Sequence, residues 1–163
     1  MNSVVIGIGN DHRRDDGVGP AVAAAVAAQR FRGLRVITCA AEPTAILDAW
    51  EGAALAVIVD AAAGDDAVPG RVRRSSIDDL AGAIGVSSHD LDLAQTYRLG
   101  RVLDRAPRTV VMVTVEADDF GHGIGLSPAV AAAVPDAVAL VLAELAAGSQ
   151  RDAGHLVEES ADQ

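Results

Sequence analysis

Three short apolar runs limit what this chain can fold into. Residues 3–8 (SVVIGI), 54–59 (ALAVIV) and 109–115 (TVVMVTV) are rich in β-branched side chains and almost free of polar alternates. A strand with one wet face alternates apolar and polar residues. A continuous run belongs to a strand covered on both faces. Helical segments separate these runs. Val18, Val22 and Val26 fall four apart on an alanine-rich background, which predicts a helix from 18 to about 30. Pro20 is tolerated there because it lies in the first turn. Strands alternating with helices imply right-handed crossovers, and hence a mostly parallel sheet. The expected fold is α/β, a three-layer α/β/α sandwich around a mostly parallel, five-stranded twisted sheet with helices on both faces.

The remaining elements fit this frame. Residues 34–39 (LRVITC) read as a second strand, and 71–77 (RVRRSSI) as a weaker one near an edge. In the latter, Arg71, Arg73 and Arg74 read as a solvated edge that discourages aggregation, with a docking patch for an acidic partner as the alternative. A short helix is expected over 43–50, opened by Pro43 and followed by Gly52, and another over 88–103 after a Ser-Ser cap. Ser127-Pro128 reads as an N-cap followed by proline at the first helical position, opening a long helix to about 147. Residues 3–147 then form a single domain, and 148–163 a polar, acidic, frayed tail.

Charge and cysteine content exclude several functions. The formal net charge is −10, and all 13 cationic residues are arginine. Such a chain lacks the basic surface that nucleic acid or an anionic membrane needs. The single cysteine, Cys39, leaves no intrachain disulfide framework and no cysteine-based zinc site. The opening MNSVVIGIGNDHRRDD has no secretory pattern, and the apolar stretch 129–147 is interrupted by Pro135, Asp136 and Glu144. The expectation is a cytoplasmic protein with no membrane span.

In a parallel α/β sheet, ligands bind at the carboxyl ends of the strands. Three polar features fall there: Gly9-Asn10 with Asp15-Asp16-Gly17, Asp60 after an apolar strand, and His89 at the start of a helix. Two carboxylates and an imidazole on three connections suit a borderline divalent metal such as nickel or zinc, with positions left for water or substrate. Each also has a plainer use: Asp16 as a helix cap, Asp60 as a turn residue, His89 as a solvated first-turn residue. Gly7 and Gly9 suggest a dinucleotide fingerprint, but the third glycine position holds His12 and a polar loop precedes the helix. No P-loop, nucleophile elbow or zincin helix is present. Cys39 reads as a small buried residue at a strand end.

Taken in order, these segments resemble a known family. VVIGIGNDHRRDDGVGPAVAAAV is similar to the opening of the hydrogenase maturation endopeptidases. The likeness continues through AVIVDAA, SSHDLDLAQTYRL and GIGLSPAVAAAVPDAVALVL, over about residues 3–147. It implies an endopeptidase that removes the C-terminal extension of a nickel–iron hydrogenase large-subunit precursor after nickel insertion. It also implies that Asp16, Asp60 and His89 are the metal-contacting and catalytic triad, and that the nickel travels with the substrate, with no organic cofactor. Gly9, Asn10, Gly17 and Glu42 are expected to contact substrate. Many members carry an Asp-Gly-Gly-Thr-like turn after the second strand, where this chain has Cys39-Ala40-Ala41-Glu42. Two other readings remain open: a non-cutting module that binds nickel or the precursor, and a small nucleotide-binding domain.

Overall fold

The two-residue period of the buried strands decides the layers. In the computed structural model, which describes residues 2–82 and 88–161 but not the side chains at 81–82, 88–91 and 152–161, the strands form one sheet. They are β1 (Ser3–Ile8), β2 (Leu34–Cys39), β3 (Leu55–Ala62), β4 (Val72–Ser76) and β5 (Thr109–Glu116). Their order across the sheet is β2-β1-β3-β5-β4. All pairings are parallel except β4 with β5. The helices are α1 (Val18–Ala27), α2 (Pro43–Trp50), α3 (Ile77–Gly82), α4 (Ser88–Val102) and α5 (Pro128–Ala161).

Successive side chains leave a strand on opposite faces, so each apolar run feeds two cores. Val5, Leu55, Val57, Val59, Val111, Val113 and Val115 pack with α1 and α5 residues such as Val22, Val26, Val130 and Val141. Val4, Ile6, Ile8, Ala56, Ile58, Val110 and Met112 pack with Ile46, Leu47 and Trp50 of α2 and Leu93 of α4. Each fully buried Val or Ile contributes about 1.5–3 kcal/mol relative to exposure. Trp50 closes the second core, edge-on to Tyr97 at 6.2 Å between ring centroids. The same alternation aims Asp60, in step with Ala56 and Ile58, at the face covered by α2 and α4.

Helix α1 can reach the sheet only because two glycines face each other. A Cβ on Gly7 would sit 2.5 Å from the Gly19 carbonyl oxygen. One on Gly19 would sit 2.2 Å from the Ile8 oxygen and 2.6 Å from the Val59 oxygen. The first turn of α1 therefore lies directly over the carboxyl ends of β1 and β3.

Several sequence expectations change. The end of the polar stretch 10–16, which reads as a loop, forms a 3-10 turn (Arg14–Gly17), whose four residues carry no periodic signature. Helix α1 ends at Ala27, three residues short of the expected end. Strand β3 runs past Val59 to Ala62, so Asp60 is a strand residue and not the turn residue of its plainer reading. Ile77, which reads as the end of the edge strand, instead opens helix α3. Helix α5 continues to Ala161, through the segment that reads as a polar tail; polarity is no obstacle to a helix where propensity suffices. Its stretch Pro128–Arg151 is, by length and composition alone, sufficient to cross a membrane, contrary to the reading of 129–147 as too interrupted. Here Val130, Ala133, Ala137 and Val141 of that helix lie in the core against the sheet.

Arg71, just before β4, and Arg73 and Arg74 within it are paired and do not simply point into solvent. Arg71 Nε donates to Glu116 Oε2 at 2.8 Å, Arg73 Nε to Oε1 at 2.5 Å, and the Val68 N–H to Oε2 at 2.7 Å. Arg74 Nε reaches Glu144 on α5 at 2.5 Å. Glu116 is buried; burial alone would raise its pKa, but the Arg71, Val68 and Arg73 hydrogen bonds outweigh that and hold it below the usual carboxylate range. A lowered folded-state pKa stabilises above the unfolded value of about 4.3, and the contribution is lost as pH falls through the folded value. The arginines are half-exposed, which screens the pairs. Glu116→Gln should lower unfolding free energy by about 1–2 kcal/mol at pH 7, with the gap to wild type narrowing below pH ~4. Urea titrations at the two pH values check this.

Candidate active site

The carboxyl rim of the sheet carries Asp60, and the connection leaving β1 carries Gly9, Asn10, Asp16 and Gly17. Parallel register pairs Ile8 with Cys39 and Gly7 with Val59, so Asp60 stands one step beyond on the same rim, paired with Thr114 of β5. Asp60 is buried, at 8 % exposure. Its Oδ1 accepts the Ala61 N–H at 2.8 Å. It lines a cavity of about 150 Å³ together with Ile8, Met112, Ile46 and three α4 residues, Asp92, Leu93 and Thr96. The cavity thus carries one carboxylate from the sheet, Asp60, and one from α4, Asp92, among apolar side chains. Cys39 lies close by. Burial, and then the Asp60 carboxylate, push its thiol pKa up, so the sulfur stays protonated and is a poor nucleophile.

Asp16 stands on the 3-10 turn, which packs against β3. Its Oδ2 accepts the Asn10 N–H at 2.9 Å, and Asn10 Oδ1 accepts the His12 N–H at 2.9 Å. Among the described residues Oδ1 of Asp16 has no hydrogen-bond donor. Gly9 makes this turn possible: its φ is +138°, and a Cβ there would lie 1.9 Å from the Asp16 carbonyl oxygen. The loop itself therefore occupies the space beside Gly9. In a dinucleotide fold, a pyrophosphate would lie at this point.

The other expected contacts divide. Gly17 is buried, and its missing Cβ admits the Asp11 Cα at 3.0 Å, so its close approach serves the loop's own closure. Glu42 is exposed at the N-cap of α2, next to Ala41 and Pro43 at the cavity wall, with no side-chain cap bond. His89 lies in the first turn of α4, and its side chain falls outside the described residues. Among the described residues no group of three metal-ligating side chains converges.

One carboxylate of the first loop turns inward. Asp15, beside Asp16 in the polar stretch ahead of α1, is fully buried and fastens to the head of α5, accepting the Ser127 N–H at 2.7 Å. The doublet Asp15-Asp16 is visible in the sequence, but nothing there says that the first of the pair turns inward across 112 residues. Asp92 and Thr96, at helical spacing behind His89, are the other rim residues that spacing alone did not single out.

The sequence model of hydrogenase maturation proteases matches residues 22–144. The chain belongs to that family. The match includes Glu42, Asp60 and His89, whereas Gly9, Asn10, Asp16 and Gly17 precede it. This protease has the fold of the hydrogenase maturating endopeptidase HybD from E. coli, with TM-score 0.77 and 22 % identity over 89 % of this chain and 92 % of that one. It is also similar to the [NiFe] hydrogenase maturation protease HybD from Thermococcus kodakarensis, with TM-score 0.71 and 26 % identity over 86 % and 97 %. HycI from T. kodakarensis KOD1, a [NiFe] hydrogenase maturation protease, gives 0.66 and 21 % over 86 % and 89 %. No curated protein sequence matches. The expected α/β, mostly parallel fold holds.

If Gly9 is required by the rim's backbone, Gly9→Ala should cost about 2–4 kcal/mol, since both the φ and the contact with Asp16 are forbidden to a side chain. A denaturant midpoint shift of that size, against a shift of less than about 1 kcal/mol for alanine at the unobstructed Gly64, checks it.

Proposed function

We propose that this protease is metal-dependent and removes the C-terminal extension of a nickel–iron hydrogenase large-subunit precursor after nickel has been inserted. In this reading the nickel centre arrives with the precursor and is part of the substrate. Asp16, Asp60 and His89 grip it, no organic cofactor takes part, and the reaction runs in the cytoplasm. The observation that carries the reading is the placement of Asp60. A buried carboxylate at the mouth of a cavity, on the rim over which the Asp16 turn is folded, is where a parallel sheet presents ligands. The α4 spacing supports the third member: His89 precedes Asp92 and Leu93 of the cavity wall by three and four residues, one helical turn.

The chemistry follows from these residue types. Peptide hydrolysis adds water across the scissile C–N bond, with the proton going to the leaving amine and the hydroxyl to the new carboxyl. Asp16, Asp60 and His89 would hold a divalent ion with coordination positions left open, and the ion would supply polarisation of the scissile carbonyl or a lowered pKa for the attacking water. Alternatively the ion would only position the peptide, and a rim carboxylate would take the proton of the attacking water as general base. The precursor tail would run along the rim past Asn10 and Glu42.

Replacing Asp16, Asp60 or His89 by alanine is expected to reduce processing of nickel-loaded precursor at least 100-fold, with circular dichroism unchanged; losses of that order follow removal of a group acting at the reacting centre. The mass of the large subunit is the readout. Normal processing by all three variants would remove the site assignment. Stoichiometric precursor capture by wild type with no mass change would favour a non-cutting module.

A further inference from the structure

The chemistry above uses Asp16 and leaves its neighbour Asp15 without a task, although Asp15 is the most deeply buried carboxylate among the described residues, at 0 % exposure. Its Oδ1 accepts the Ser127 N–H at 2.7 Å, and its Oδ2 accepts the Ser127 hydroxyl at 2.9 Å and, more weakly, the Asp119 N–H at 3.4 Å. The Asp15 N–H itself donates to the Asp119 carbonyl at 3.0 Å. Ser127 immediately precedes α5, where free N–H groups and the helix dipole favour an anion.

The strap does not stop at Asp15. The Arg14 N–H donates to the Gly123 carbonyl at 3.0 Å, and the Gly123 N–H returns to His12 at 2.9 Å. Residues 12–15 are thus stitched to the connection between β5 and α5. On the other side, Asp16 is held by the Asn10 N–H and by the contact of its carbonyl with Gly9. Adjacent residues in a 3-10 turn point about 120° apart. With Asp15 locked inward, the direction of Asp16 is fixed.

We propose that Asp15 is a positioning residue for the reaction: by fastening the first loop to the head of α5, it holds the Asp16 carboxylate at the rim in the orientation the substrate centre needs. The functional half of this inference rests on the reading of Asp16 as a site residue. Groups that orient a ligating side chain are worth on the order of 10–100-fold in affinity or activity. The plainer alternative is that Asp15 only stabilises α5, and the two make different predictions at Asn10.

The test compares wild type, Asp15→Asn, Ser127→Ala and Glu144→Gln in the full chain. Ser127→Ala removes a single donor and keeps the test open should Asp15→Asn fold poorly. Glu144→Gln loosens α5 away from the rim. Amide hydrogen exchange and single-turnover cleavage of nickel-loaded precursor are measured well below each melting temperature. For Asp15→Asn the exchange of the Asn10 amide should quicken at least 10-fold while β1 and β3 amides stay protected. Cleavage should fall 10–100-fold, and Ser127→Ala should shift both readouts the same way by less. The proposal is overturned if Asn10 protection is unchanged, or if Glu144→Gln slows cleavage as much as Asp15→Asn at equal loss of stability. An Asp16→Ala chain that cleaves like wild type would instead remove the reading of Asp16, whatever Asn10 shows.

Discussion

Everything at the rim depends on two backbones touching where no side chain fits. Gly7 in β1 and Gly19 in α1 let the first helical turn lie against the last carbonyls of β1 and β3. A methyl group at either position would lift the helix off the sheet. That single contact fixes where the connection from Gly9 to Gly17 must run, and hence that Asp16 passes over the end of the strand that carries Asp60. Close packing of helix on sheet and the formation of a binding rim are one geometrical event here.

Around that contact, each buried acid has a distinct set of partners. Glu116 takes two arginines and a backbone amide, and fastens the antiparallel edge strand. Glu144 takes Arg74 and joins α5 to that strand. Asp15 joins the first loop to the head of α5. Burying a carboxylate is costly unless donors surround it, and these three are surrounded. Asp16 and Asp60 stand at the rim, Asp16 partly buried and Asp60 lining a cavity. The tethering acids fasten elements to one another, and the rim acids stand where the parallel sheet presents ligands.

The apolar runs made the sheet legible. SVVIGI and TVVMVTV lie within β1 and β5, because a strand buried on both faces leaves an uninterrupted signature; LRVITC matches the half-buried edge strand β2 by its β-branched residues. PTAILDAW matches α2, since proline and glycine punctuate both ends. The same logic put Asp60 on the rim. Less was readable where the determining contacts are distant in sequence. The inward turn of Asp15 depends on Ser127, and the pairing of Arg71 and Arg73 depends on Glu116. A local pattern reports propensity and amphipathicity but not the partner of a polar side chain. The family resemblance, by contrast, rested on the order of several motifs, and the family match over 22–144 agrees with it.

The central claim is that the rim recognises a large-subunit precursor by its inserted nickel and then cuts it. The most direct measurement incubates the wild-type chain with nickel-loaded and nickel-free precursor in parallel and weighs the large subunit in each. The account predicts that only the loaded precursor loses its C-terminal extension. Equal cleavage of both, or of neither, would contradict it.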